Sequence, residues 1–123
     1  MSANTKYLNG LYKMNKEIDQ LLYELISLAA ENENAPDWAL GLKLGEECGE
    51  VCEVLLVDNG FCQHKELTED LFHEIADVFN VCTAILAKRY PELGPMEILH
   101  RLTAAVERKG QKYADLLKDG MNK

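Results

Sequence analysis

Long apolar runs are missing from this chain. No stretch of about 18 apolar residues occurs, so no membrane-spanning helix is expected. Positive charge is scarce as well: 13 Lys and Arg stand against 21 Asp and Glu, for a net charge of -8. Duplex nucleic acid requires a basic face, so no nucleic-acid partner is expected. Met1 to Lys6 lack a basic region followed by an apolar stretch, so the chain does not read as carrying a signal peptide. No Cys-x-x-Cys pair occurs, and nothing reads as a strand. Without a secretion signal, Cys48, Cys52, Cys62 and Cys82 are expected to be reduced thiols of a cytoplasmic protein, mostly small core residues. A zinc site from Cys48, Cys52, Cys62 and His64 is the sharper alternative, but it lacks a knuckle spacing.

What is present is an ordinary globular composition in a short chain. The 123 residues are 47% hydrophobic and 28% charged. That length suits one domain, 1–123, with one core. Helical periodicity accounts for most of it. Leu8, Leu11, Ile18, Leu22, Leu25 and Ala29 predict a first helix over 5–31, closed by a polar stretch and Pro36. A second helix is expected over 37–57, with Asp37 as N-cap and Gly60 beyond its end. A third is expected over 66–90, stopped by Pro91. Pro95 opens a fourth, which should end near Lys118, before Asp119-Gly120. Short connections between helices predict an all-α, four-helix bundle of antiparallel neighbours.

The anomaly lies on the inward faces. At about 100° per residue, Leu40, Leu44, Val51, Val54 and Leu55 fall within about 80° of Glu47. Glu47 is therefore inside an apolar stripe, and Glu50 sits at its edge. The next helix repeats the pattern. Leu71, Val78, Val81 and Ile85 fall within about 60° of Glu74, with Asp77 at the edge. Antiparallel packing would bring Glu-x-x-Glu and Glu-x-x-Asp face to face. Four carboxylates brought together out of water repel, and a divalent cation resolves the repulsion. An all-oxygen set favours magnesium, with manganese as substitute, over zinc.

These residues also resemble a known family. Glu46-Glu47-Cys48-Gly49-Glu50-Val51 is similar to the EExGE signature of the MazG-like, all-α nucleotide pyrophosphohydrolases. Glu74-Ile75-Ala76-Asp77-Val78 is similar to their ExxD signature, and the 23 intervening residues suit the spacing. Lys43-Leu44 and Arg108-Lys109-Gly110 also look like family segments, and the resemblance covers about 37–112. It implies a MazG-type fold completed by homo-oligomerisation, as a dimer or a dimer of dimers. It further implies magnesium-dependent hydrolysis of a nucleoside or deoxynucleoside triphosphate to the monophosphate and pyrophosphate. The metal ligands carried over are Glu47, Glu50, Glu74 and Asp77, with Glu46 as an additional acid. Phosphoryl chemistry of this kind needs positioning and charge neutralisation more than a nucleophilic side chain. Glu50 is the expected water-orienting group, and Glu47 is placed beside it in the catalytic pair.

Phosphates call for cations. Lys109 shares the stripe of Ile98, Leu102, Val106, Tyr113 and Leu116, where it either reaches a phosphate or snorkels at the core edge. Arg108 and Lys112 lie nearer the edge of that stripe. Lys43 shares the face of Glu47 and can pair with a carboxylate or meet a phosphate. Asn80, on the flank of Asp77, can contact a base or sugar or bridge helices. Trp38 can stack on a base, but packing at the helix start is the first expectation. The base-contacting regions differ from those of deoxycytidine- and deoxyuridine-specific relatives. Two other readings remain. A non-catalytic nucleotide-binding or assembly protein could keep the fold, although intact inward acids argue against it. A di-iron carboxylate bundle needs Glu-x-x-His on inward faces, whereas Glu97 and His100 fall opposite the apolar stripe.

Overall fold

The computed structural model of the chain describes residues 17–61 and 69–121. Among these residues there are four helices and no strand: α1 Ile18–Asn32, α2 Asp37–Asp58, α3 Leu71–Arg89 and α4 Pro95–Met121. The all-helical expectation is met, with revised ends. The expected helical span 5–16, and residues 66–68, lie outside the described residues; within them, the helix expected over 5–31 is interrupted at Glu17, whose extended backbone starts α1 and whose carbonyl accepts from the amides of Gln20 and Leu21. Pro36, not Asp37, stands at the start of α2. The Pro36 carbonyl accepts from the amides of Ala39 and Leu40, and Asp37 is the first helical residue. Its carboxylate there favours the positive end of the helix dipole. Helix α3 starts later than its periodicity suggested, because the Asp70 side chain caps it by accepting from the His73 amide at 3.0 Å. Helix α4 runs through Gly120, since no proline follows to stop it. Gly60, at φ +81°, takes the left-handed conformation expected beyond the end of α2.

Helix α3 is the shared wall. It packs along α2 on one side and along α1 on another, while α4 lies against α1 and meets α3 only sparingly. Among the described residues α2 touches α3 and no other helix. The arrangement is therefore more open than the four-helix bundle expected. One apolar cluster joins Ile26 of α1, Ala87 of α3 and Ile98 and Leu99 of α4. Small residues make this possible: Thr83, Ala84 and Ala87 are all buried, so α1 can approach the α3 backbone. Lys88 donates its Nζ to the Glu33 carbonyl at 2.9 Å, tying the α1–α2 connection to α3.

Other expectations of burial fail. Leu55 is 45% exposed, and Cys48, Cys52 and Cys82 are exposed rather than core residues. Cys62 and His64 lie outside the described residues. Leu102 is half-buried, but beyond it the stripe of α4 lies open: Val106, Tyr113 and Leu116 are each at least 60% exposed. The register was right, but no described helix covers that half of α4. Gly41 and Gly45 sit inside α2, and a Cβ built on either meets nothing within 4 Å. Each still costs about 0.5–1 kcal/mol relative to alanine in a helix.

Ile26 is the only fully buried large side chain among the described residues, at the junction of three helices. Ile26→Ala is expected to lower the unfolding free energy by about 2–5 kcal/mol in urea titration. Asp70→Ala is expected to cost about 1 kcal/mol through loss of the α3 cap.

Candidate metal centre

The site is built where α2 and α3 lie side by side. Leu40 and Val54 are buried on the same stripe as Glu47, two turns to either side of it. They hold that stripe against α3 and carry Glu47 inward with it. Glu47 is 6% exposed, and Glu74, opposite on α3, is also 6% exposed. Glu50 and Asp77, one turn further along their helices, are half-buried. Contacts across the seam show its direction. Glu50 hydrogen bonds with Glu74, whereas Cys48, earlier on α2, acts electrostatically on Cys82, later on α3. The helices therefore run antiparallel.

The four carboxylates expected to meet do meet. Glu47, Glu50, Glu74 and Asp77 each offer an oxygen, and those atoms lie within 4.8 Å of one another. One oxygen of Glu47 and one of Glu74, both Oε2, are buried without a hydrogen-bond partner. A buried carboxylate oxygen left unpaired is costly. An oxygen-seeking divalent cation would satisfy both atoms and offset the shared charge. The donors contain no nitrogen or sulfur, which fits magnesium or manganese better than zinc.

Two groups relieve the repulsion within the chain. Lys43 places its Nζ 3.2 Å from Glu47 and 3.7 Å from Glu46. These carboxylates raise its affinity for a proton, the hydrogen bond to Glu47 contributing most. Glu50 gains proton affinity instead. Its hydrogen bond to Glu74, then desolvation, then the nearby charge of Glu47 push it from 4.5 up to about 7.

The other expected residues are placed differently. Glu46 is exposed and reaches the cluster only through Lys43. Asn80 is exposed on α3, one turn beyond Asp77. Trp38 is 69% exposed, and among the described residues α2 has a helical neighbour on one side only. Arg108, Lys109 and Lys112 are exposed on α4, which does not touch α2 among the described residues. The inward placement of Lys109 is thus corrected, because that part of α4 faces no described helix. Glu97 and His100 are exposed, as their register required, and Glu97 pairs with Arg101 at 2.8 Å. One neighbour was not anticipated in its role. His73 places Nδ1 2.6 Å from the capping carboxylate of Asp70, which raises its proton affinity, and it also feels Asp77. The signal available was an Asp three residues before a His at a helix start.

The raised Glu50 value has a defined sign. At Glu50, the metal-free folded chain binds more protons than the unfolded chain between pH 4.5 and about 7. The stability contribution of Glu50 is therefore full below 4.5 and is lost as pH rises through about 7. With divalent ions chelated, Tm is expected to fall across that window, and Glu50→Gln should flatten the fall. Above the window, millimolar magnesium should raise Tm, because a ligand of the native state stabilises it. No shift with magnesium or manganese, even with nucleotide added, would count against the centre.

Comparison of the chain with models of protein families, with curated proteins and with solved structures found no match. The likeness to MazG-like enzymes therefore rests on the two acidic motifs and their spacing.

Proposed function

We propose that the chain is a magnesium-dependent nucleoside triphosphate pyrophosphohydrolase, releasing a nucleoside monophosphate and pyrophosphate. The observation that carries this reading is the convergence of four carboxylates on one seam, with two buried oxygens unpaired. The acidic motifs that supply those carboxylates are the ones that resemble the MazG-like signatures. Manganese is the expected substitute for magnesium.

In this reading Glu47, Glu50, Glu74 and Asp77 would hold the ion, which supplies polarisation of the α-phosphate and charge stabilisation for the leaving pyrophosphate. The chain's own groups divide the remaining work. Glu47 and Glu74 are buried and held by the packed stripes, so they suit a fixed ligating role. Glu50 is half-buried at the rim, where a water can reach it. Its proton affinity lies nearest neutrality among the shifted carboxyls, which suits a group that orients a water and accepts its proton. The attacking water approaches the α-phosphorus as the α–β bridging oxygen leaves. Lys43, half-exposed beside Glu47, is the nearest cation for a phosphate oxygen. Arg108, Lys109 and Lys112 enter the reading only through their likeness to the family segment.

The test is a magnesium-dependent screen of ribo- and deoxynucleoside triphosphates with pyrophosphate detection. At least one should be hydrolysed. Glu50→Gln and Glu74→Gln should each lower the rate by about a hundredfold or more while leaving helix content intact. Full activity in either variant would overturn the assignment. Nucleotide binding without turnover across the panel would favour the non-catalytic reading.

A further inference from the structure

Helix α4 is covered along its first half only. Ile98 and Leu99 are buried in the cluster with α1 and α3, and Leu102 and Thr103 are half-buried. One turn on, the stripe is bare among the described residues. Val106, Tyr113, Leu116 and Leu117 are 60%, 64%, 61% and 50% exposed. Four large side chains along one side of one helix form a contiguous apolar face, which water disfavours and another element normally covers.

Three observations name the occupant. The first is place. Helix α1 lies against α4, and Glu17, Gln20 and Tyr23 at its start line one depression with Leu99, His100 and Thr103. The extended backbone of Glu17 begins α1 there, so residues 1–16 join the described chain beside Thr103, one turn before Val106. The second is pattern and length. Tyr7, Leu8, Leu11 and Tyr12 recur at helical spacing. As a helix, a segment of this length spans about 24 Å, and the stripe from Val106 to Leu117 spans about 17 Å. The segment is therefore long enough to follow the whole stripe. The third is charge. Residues 1–16 hold Lys6, Lys13 and Lys16 and no acid, so all 21 Asp and Glu lie in the remainder of the chain. A basic segment is attracted by that acidic remainder, whereas a separate copy of a chain with net charge -8 is repelled by it. Tethering adds to this, because a short link gives the segment an effective concentration on the order of millimolar at the stripe.

We propose that residues 1–16 of this chain dock on the open stripe of α4, placing Leu8 and Leu11 against Val106, Tyr113 and Leu116. The docked segment removes the apolar half of α4 from water and extends the core beyond the junction at Ile26. Because α4 does not touch α2 among the described residues, this cover is independent of the metal centre.

A double-mutant cycle in the full chain tests the docking. One arm combines Leu8→Glu with Leu11→Glu, the other Val106→Glu with Tyr113→Glu. Each arm should lower Tm by about 5 °C or more. The variant carrying all four changes should lose no more than either arm alone, because both arms break one contact. The losses should be the same across a micromolar concentration series. An unchanged Tm in either arm overturns the proposal, since a glutamate on a bare helix surface costs little. Additive losses overturn it too. So does a loss that depends on concentration, which would show that another copy covers the stripe. Hydrogen exchange of the unmutated chain keeps the proposal testable if a variant fails to fold. Amides within 5–16 should exchange more slowly than in an unfolded chain, and unprotected exchange throughout 1–16 overturns the docking.

Discussion

Four carboxylates brought within 4.8 Å of one another at a helix seam repel, and the α2–α3 pair must hold together in spite of that repulsion. Leu40 and Val54 do part of the holding, two turns either side of Glu47. Lys43 supplies positive charge at one edge, and the raised proton affinity of Glu50 eases the repulsion at the other. Neither reaches the unpaired Oε2 atoms of Glu47 and Glu74. A seam of this kind is poorly matched to stability alone, because apolar residues of similar volume would pack there without the electrostatic penalty. Its all-oxygen donor set is one that could hold a hard cation. The proposed reaction extends that chemistry to a polyphosphate substrate, whose oxygens complete the coordination that protein carboxylates leave open.

Helix α3 determines where the site can be. One of its faces presents Glu74 and Asp77 to α2. Another presents Thr83, Ala84 and Ala87, whose small side chains admit α1. The acids lie toward the start of α3 and the small residues toward its end. The apolar cluster and the acidic cluster are thus separated along one rigid helix. This separation keeps the acids away from the junction where, among the described residues, three helices share buried apolar side chains. It also places Asp70, the α3 cap, about one turn before Glu74, so the helix start that positions Glu74 is itself fixed by a side-chain hydrogen bond.

The same helix pair divides charge from its absence. Glu46, Glu50, Glu53 and Asp77 accumulate on one flank, and none interrupts the other between Gly41 and Leu56 or between Ile75 and Leu86. A chain this acidic gains solubility from the first flank and loses it at the second. The exposed cysteines fit this division. Cys48, Cys52 and Cys82, expected as small core residues, are exposed.

The all-helical character, the ends of α1 and α3, the span of α2 and the inward placement of Glu47 and Glu74 were legible in the sequence. All of these follow from the 3.6-residue period, a local property of the backbone. The exposure of Glu97 and His100 was legible for the same reason. Which stripes find a partner was not. Lys109, Val106 and Tyr113 share the register of buried Ile98, yet stand exposed because no described helix lies beside that half of α4. Leu55 was placed by register and misjudged on burial for the same cause, and Trp38, expected to pack at the helix start, is 69% exposed. Periodicity states which way a side chain points, but only the packing of separate helices states what it points at. The four acids began as two spacing patterns on separate segments. The antiparallel seam of α2 and α3 made them one cluster, because residues 24 or more apart in sequence became neighbours there.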